Sequence, residues 1–109
     1  MLIMSRRLTA NTMTSKQVTL HLKTLPHWSE QVETICRTYK FDGFLGSIAF
    51  LDIIAPLAQK ANHHPDIDIC FDQVTLTLTT HDEGGLSEKD FAMARQCDEV
   101  FAKLAKPAK

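Results

Sequence analysis

The chain has 109 residues and a formal net charge of −1, from 12 basic and 13 acidic side chains. This length supports one small domain with a single two-layer core. A nearly neutral chain offers no basic field to a phosphate backbone, so we expect no direct nucleic-acid binding. The expected partner is a small molecule or another protein.

The three cysteines, Cys36, Cys70 and Cys97, are odd in number, widely spaced and set within apolar patterns. This usage favours reduced core thiols in a cytoplasmic protein over a disulfide framework. The N-terminal residues lack the continuous apolar run of a signal peptide. No segment approaches the roughly 20 apolar residues of a membrane span, so we expect no membrane association.

The first predicted elements are a short helix and a pair of strands. Apolar residues recur at helical spacing from residue 14 to about residue 25, with Thr14 or Ser15 as the N-cap. Between residues 28 and 41 the apolar positions lie two or four apart among charged residues, which is typical of strands with one wet face. We expect two strands here, with a break near residues 31 to 34.

The next predicted element is a helix from residue 44 to residue 61. Its apolar positions advance by three or four, which predicts an inner face laid on a sheet. That predicted face consists of Phe44, Ile48, Leu51, Ala55, Ala58 and Ala61. Pro56 removes one backbone hydrogen bond and crowds the preceding turn, so we expect a kink or an early weakening of one helix, not two helices.

A hairpin and a final helix complete the predicted elements. Residues 67 to 71 and 74 to 78 alternate between apolar and polar side chains on either side of a predicted Asp72-Gln73 turn, which indicates a hairpin with one buried face. Gly84-Gly85 follows as a turn signal, and residues 87 to 104 form the last predicted helix. Its predicted inner face consists of Phe91, Ala94, Cys97, Phe101 and Leu104.

This order of elements predicts an α+β domain over residues 11–105, with one four-stranded antiparallel sheet and three helices packed on a single face. Residues 1–10 show no periodicity and are expected to be a disordered tail. The two edges of such a sheet must be covered or paired, so self-association through an edge strand is expected.

Histidines provide the main chemical signal. His63 and His64 precede Pro65 at the end of the second predicted helix, and His81 lies just past the neighbouring strand, so all three can meet at one end of the sheet. Imidazoles move protons near neutral pH, which indicates an acid/base site. Adjacent side chains share no face of a helix or strand, so only an irregular turn can direct both His63 and His64 into one pocket.

Other roles for these residues remain open. The paired imidazoles could cap helix carbonyls or lie in water. A metal site would use the same residue types, but the His and Cys spacing of structural zinc sites is absent, so we expect no metal. Asp90 follows Ser87 by three positions, which is the spacing of a capping box at a helix start.

Two sequence blocks together resemble the pterin-4a-carbinolamine dehydratase family, also called 4a-hydroxytetrahydrobiopterin dehydratase. They are "HHP" at residues 63–65 and "THDEGGLSEKD" at residues 80–90, with Trp28 and "YKF" at residues 39–41 also falling where the family has counterparts. The resemblance implies four antiparallel strands with three helices on one face, assembled as a homodimer or homotetramer. It also implies the loss of water from a 4a-hydroxytetrahydropterin, which gives a quinonoid dihydropterin and recycles tetrahydrobiopterin-type cofactors.

The resemblance also implies roles for individual residues. His63 and His81 would be the acid/base groups, while His64, Pro65 and Asp90 would bind or orient the pterin. The pterin is then the substrate, and no metal or other cofactor is expected. The alternative is a non-catalytic dimerisation or regulatory partner on the same fold.

This chain departs from the family pattern at two positions. Gln59 stands where the family usually has an acid, and Ile67 where it usually has an aromatic residue. Gln59 can form hydrogen bonds but carries no negative charge, and Ile67 keeps apolar packing without ring stacking. Neither departure removes a proton-transfer group.

Overall fold

The computed structural model describes residues 13–105, which form three α-helices and one four-stranded antiparallel sheet. In chain order the elements are α1 (Ser15–Lys23), β1 (Ser29–Gln31), β2 (Thr34–Lys40), α2 (Phe44–Ala61), β3 (Asp66–Cys70), β4 (Gln73–Leu78) and α3 (Glu88–Ala105). A short 3₁₀ turn at His81–Glu83 precedes α3. The predicted α+β class and element order are confirmed, while the predicted tail at residues 1–10 lies outside the described residues.

Helix α1 begins at the predicted N-cap. The Thr14 hydroxyl accepts a hydrogen bond from the Gln17 backbone N–H at 3.1 Å, and the Gln17 side-chain oxygen accepts from the Thr14 N–H at 2.9 Å. This reciprocal capping box satisfies two backbone donors that the first helical turn leaves without partners. Thr14 is therefore the N-cap, and Ser15 is the first helical residue.

The sheet has the strand order β1-β2-β4-β3, so β2 and β4 are central and β1 and β3 are edges. The side chains fully buried beneath the helices are Ile35, Tyr39, Val74, Leu76 and Leu78. On the opposite face the hydroxyls of the paired residues Thr38 and Thr75 lie 2.7 Å apart, and both side chains remain partly or fully exposed. The alternation predicted for β4 therefore separates a core face from an open face.

The hairpin turn lies one residue earlier than predicted. Cys70 pairs with Gln73, so the two turn residues are Phe71 and Asp72 instead of Asp72 and Gln73. Phe71 has a φ of 54° and is 66% exposed, although it continues the apolar alternation of β3. The left-handed conformation that such a two-residue turn requires takes precedence over the strand preference of phenylalanine.

Strand β3 also lacks the predicted buried face. Ile67 and Ile69 pair with the buried residues Leu76 and Val74, yet they are 46% and 37% exposed. Every residue of β3 is exposed, because β3 is an edge strand and the buried layer ends at β4. One protomer therefore presents an uncovered apolar edge.

Helix α2 runs unbroken through Pro56, but its inner face was wrongly predicted. The buried residues are Ser47, Phe50, Ile54 and Ala58, of which only Ala58 belongs to the predicted set. Apolar residues surround most of this helix, so spacing alone cannot identify the inner face. Ser47 lies inside because its hydroxyl donates to the Phe71 carbonyl oxygen at 2.8 Å. Among the described residues, α2 is also the one helix long and apolar enough to cross a membrane by those two measures.

Helix α3 buries most of its predicted face, and Asp98 connects it to the sheet. Phe91, Ala94 and Cys97 are fully buried, Phe101 is partly buried and Leu104 is exposed. The Asp98 carboxylate accepts hydrogen bonds from Trp28 Nε1 at 3.0 Å, Arg37 Nη1 at 2.8 Å and the Tyr39 hydroxyl at 2.6 Å.

The three cysteines are all free, but only Cys97 is a core thiol as predicted. Cys36 is half-buried on β2, and Cys70 is exposed at the end of the edge strand. Burial and the nearby Asp98 charge raise the pKa of Cys97 from 9.0 to about 12. Burial and a hydrogen bond to Asp98 also raise the pKa of Tyr39 above its ordinary value.

These two groups should make the fold sensitive to alkali. Because the pKa of Cys97 is higher in the folded state than in the unfolded state, its contribution to stability is complete below pH 9.0 and is lost towards about 12. Within that window the free energy of unfolding should fall by about 1.4 kcal/mol per pH unit, and Tyr39 should add to the loss at higher pH. Urea unfolding with reductant present, measured from neutral pH to pH 11, tests this. In Cys97→Ala the decline should begin later and be shallower, and an unchanged slope would contradict the assignment.

Candidate active site

Helix α2 ends in a turn that separates the two adjacent histidines. Asn62 adopts a left-handed conformation with φ 54° and ψ 41°. The N–H groups of Asn62 and His63 donate to the carbonyl oxygens of Gln59 and Ala58, each at 3.1 Å, which is the Schellman pattern. Backbone groups therefore cap the end of α2, so the imidazoles are not needed as caps. This is the irregular turn that the sequence requires for both side chains to reach one pocket.

His63 is held by a buried carboxylate. Its Nε2 lies 2.6 Å from Oδ1 of Asp90, and Asp90 is fully buried. The other oxygen, Oδ2, accepts from the Thr80 hydroxyl at 2.8 Å and from the Ser87 N–H at 3.0 Å. Two of the three partners, the Thr80 hydroxyl and the Ser87 N–H, donate to the carboxylate, so it acts as an acceptor. His63 donates to it from Nε2, and in the neutral ring Nδ1 is then the nitrogen with a free lone pair.

The hydroxyls beside Asp90 also have assignable directions. Thr80 has one hydroxyl proton and donates it to Asp90, so the 2.8 Å contact between the Thr80 and Ser87 hydroxyls has Ser87 as its donor. The Ser87 oxygen in turn accepts from the Lys89 N–H at 3.3 Å. Asp90 therefore caps the start of α3 through one oxygen and binds His63 through the other. The capping use expected for Asp90 is thus observed together with a bond to His63, while its contact with a pterin stays a prediction.

His64 has a different partner and lies at the surface. Its Nε2 is 2.9 Å from the side-chain oxygen of Gln59, one of the two residues that depart from the family pattern. Pro65 follows His64 and is half-buried. The adjacent histidines thus differ in both burial and partner, because His63 binds a buried carboxylate and His64 binds an exposed amide.

His81 lies three residues after the end of β4 and lines the same cleft as His63 and His64. It begins the 3₁₀ turn, within a loop closed by paired backbone hydrogen bonds between Thr80 and Gly85 of 3.2 and 3.3 Å. Gly84 has a φ of 76°, and its N–H donates to the His81 carbonyl oxygen at 3.1 Å. A glycine adopts this conformation without strain. The short closed loop therefore holds the backbone of the exposed residue His81 in one position.

All three histidines line one cleft of about 230 Å³. Its lining residues are Asn62, His63, His64, Thr79, Thr80, His81, Asp82 and Lys89. Asp90 lies behind His63, outside this lining, and Pro65 is likewise absent from it. Within residues 13–105, no group of three or more His, Cys, Asp or Glu side chains is arranged to hold a metal ion.

Lys89 is the one basic residue among the cleft residues that the sequence reasoning missed, which also include Asn62, Thr79, Thr80 and Asp82. It lies in the first turn of α3, where the helix dipole favours an anion over a cation. A lysine at that end of a helix, immediately before Asp90, is the signal that could have identified it. Its ammonium group adds a positive charge beside the three imidazoles.

A second cleft, of about 510 Å³, is larger but has a less suitable chemistry. It lies where α2 begins and α3 ends, at the opposite end of both helices from the histidines. Its lining residues are Lys40, Phe41, Asp42, Gly46, Ala49, Phe101 and Leu104. None of these is a histidine, so the smaller cleft is the better candidate for acid/base chemistry at neutral pH.

Comparisons with known proteins agree with this architecture. Residues 11–100 match the family model described as pterin 4 alpha carbinolamine dehydratase. The chain is 49% identical over 86 residues to a protein of Chloroflexus aggregans, covering 78% of this chain and 92% of that protein. It is 44% identical over 92 residues to a protein of Roseiflexus sp., covering 84% and 99% respectively. Both relatives carry the name pterin-4-alpha-carbinolamine dehydratase provisionally.

A solved structure is also similar. The crystal structure of a transcriptional coactivator/pterin dehydratase from Brucella melitensis superimposes with a TM-score of 0.79 at 32% identity, covering 81% of this chain and 96% of that one. The family match spans most of the chain, and the sequence identity to the relatives extends across nearly their whole length. This chain therefore belongs to the pterin 4 alpha carbinolamine dehydratase family.

Proposed function

We propose that this protein removes water from a 4a-hydroxytetrahydropterin to give a quinonoid dihydropterin, and so recycles tetrahydrobiopterin-type cofactors. The observation that carries the proposal is the cleft with three imidazoles, one of them bonded to a buried carboxylate. Family membership supports a pterin as the substrate. The free cysteines of the described chain support a reducing compartment, and we propose the cytoplasm.

The reaction needs two proton transfers and no external oxidant or reductant. A protonated imidazole gives its proton to the C4a hydroxyl, the C4a–O bond breaks, and water leaves with the bonding electron pair. A neutral imidazole removes the proton from N5, and the N5–H electron pair becomes the new N5=C4a bond. We assign these two transfers to His63 and His81, which reach the cleft from different elements.

The other site residues would position the histidines and the pterin. Asp90 would act through His63, because it binds that ring and is fully buried. His64 lines the cleft beside His63 and would hold the pterin ring. Pro65 would contribute by directing the chain out of the turn that presents both histidines.

Removing either proposed proton-transfer group should abolish most of the activity. His63→Ala and His81→Ala should each lower kcat for dehydration of enzymatically generated 4a-hydroxytetrahydropterin by roughly 10²–10⁴-fold, the usual contribution of a general acid or base. The rate of dehydration is followed by ultraviolet absorbance, and the spontaneous rate is subtracted. His27→Ala, at an exposed histidine outside the cleft, is the matched control and should keep the full rate. Full activity in both site variants would rule out the assignment.

Asp90→Asn should reduce both stability and turnover. The amide keeps the size of the carboxylate, but it replaces one acceptor with a donor among the donors of His63, Thr80 and Ser87. Unfolding should become easier by about 1–3 kcal/mol, the cost of a mismatched buried polar group. The rate should also fall at temperatures where the variant is still folded. Asp82→Asn, in the same cleft, controls for loss of charge. Lower stability with an unchanged rate would show that Asp90 only caps α3.

We also propose that β3 pairs with a second copy of the chain. Its edge offers unpaired backbone groups, and Ile67 and Ile69 remain exposed on the side of the sheet that carries the helices. Edge pairing would join two four-stranded sheets and cover these side chains. Higher assembly into a tetramer would then need a further surface.

A charge in that edge should prevent the pairing. Ile69→Lys should lower the solution mass, by light scattering or sedimentation equilibrium, to that of one chain, because the ammonium group would be buried in the joint sheet. Val32→Lys, in the exposed β1–β2 turn, is the control and should leave the mass unchanged. A dimer that persists in Ile69→Lys would place the interface elsewhere.

A non-catalytic role as a dimerisation or regulatory partner is the second candidate. The Brucella melitensis structure is described as a transcriptional coactivator as well as a pterin dehydratase, and this favours the alternative. Such a role would need the fold and its surfaces but not the cleft. The His63→Ala and His81→Ala variants separate the two functions, because a scaffold would keep its biological effect in both.

A further inference from the structure

The adjacent histidines of the cleft are held by chemically different partners. His63 binds a carboxylate through Nε2, whereas His64 binds the amide oxygen of Gln59 through Nε2. An amide remains neutral at every accessible pH, so it stabilises a proton on the facing nitrogen without providing a negative charge for an imidazolium. The ring of His63 therefore faces a carboxylate, whereas the ring of His64 faces a neutral amide.

The contact with Gln59 determines the tautomer of His64. The Gln59 oxygen is an acceptor, so Nε2 of His64 carries the proton and donates it across 2.9 Å. In the neutral ring Nδ1 then has a lone pair and no proton. Gln59 lies on the last turn of α2 and is absent from the cleft lining, so its bond holds one edge of the ring on the helix. His64 itself lines the cleft.

We propose that Gln59 is a positioning residue that fixes the proton of the neutral His64 ring on Nε2, so that Nδ1 accepts a hydrogen bond from an N–H group of the pterin. The inference rests on the proposed dehydratase function and adds to it the polarity of one substrate contact. A protonated His64 has two donors and no acceptor, so acid should remove this contact.

The charges around His64 are mixed. The groups that share the cleft with it are His63, His81, Asp82 and Lys89. Asp82 favours a cationic ring, whereas Lys89 and any protonated neighbouring imidazole disfavour it. The neutral amide of Gln59 adds to neither side. Replacing the Gln59 amide with a carboxylate would favour the protonated form of His64.

The first test reads the tautomer directly. Nitrogen-15 shifts of the imidazole rings, measured in the folded wild-type protein at pH 7.5, should show a protonated Nε2 and a bare Nδ1 for His64. His64→Gln assigns the signals by removing one set. A proton on Nδ1 would mean that the Gln59 amide nitrogen faces the ring, and the proposal would be overturned.

The second test measures binding of 7,8-dihydropterin, a stable reduced pterin, as a function of pH. Wild-type affinity should weaken as the pH falls and His64 becomes protonated. In Gln59→Glu the midpoint of that loss should move to higher pH by about one unit or more, as a neighbouring opposite charge does. In Gln59→Ala the affinity should fall by about fivefold without such a shift, as expected for a lost hydrogen bond of about 1 kcal/mol.

Gln96→Glu supplies the matched control. It makes the same substitution at an exposed position of α3 outside the cleft, so its pH profile should match the wild type. If the wild type binds and dehydrates pterins but Gln59→Glu leaves the profile unmoved, the role of Gln59 is refuted alone. If the wild type neither binds nor dehydrates a pterin, the proposed function fails, and the contact assigned to Nδ1 fails with it.

Discussion

The candidate site depends on one buried carboxylate. Asp90 binds the ring that follows α2, the hydroxyl that follows β4 and the backbone N–H that precedes α3. His63 lies 27 residues from Asp90 in sequence, whereas Thr80 and Ser87 lie 10 and 3 residues from it. An unpaired charge at this fully buried position would be strongly unfavourable. The elements must therefore meet in one arrangement for Asp90 to be satisfied. The same arrangement brings His63 and His81 to one cleft.

The cleft combines a rigid side with a more exposed one. His63 is 8% exposed and held at 2.6 Å by a carboxylate that is itself fully bonded, which favours a fixed ring position. His64 and His81 are exposed, on a helix exit and a short loop respectively. A reaction that gives one proton and takes another needs groups in different protonation states. His63 binds a buried carboxylate, whereas His81 lies exposed on a short loop, so the two rings assigned to proton transfer have different surroundings.

The sequence predicted those features that local rules determine. The N-cap at Thr14, the alternation of β4 and the turn at Gly84 each depend on neighbouring residues alone, and the structure contains all three. The exact register of the hairpin and the inner face of α2 were wrong. The turn lies one residue earlier than the alternation predicted, with Phe71 at a φ of 54°, and Ser47 faces the core, where its hydroxyl donates to the Phe71 carbonyl oxygen.

The same distinction separates the predicted site from the observed one. His63, His64 and His81 could be grouped because helix and strand ends were predictable, and the structure brings all three to the cleft. The bond between His64 and Gln59 depends on the left-handed Asn62, which turns the chain back over the last helical turn. No periodicity encodes that reversal. Lys89 was missed for a similar reason, because its neighbours in the cleft come from the segments that follow α2 and β4 and not from its own helix.

A second carboxylate explains why Asp90 can be positioned so closely. Asp98 lies on α3 eight residues after Asp90, about two helical turns along. It binds Trp28, Arg37 and Tyr39, so it connects α3 to β2 and to the segment before β1. A helix fixed by hydrogen bonds at two points along its length can neither slide nor rotate freely. Together with the buried face of α3, the Asp98 contacts therefore help to hold the helix in the position that brings Asp90 to His63.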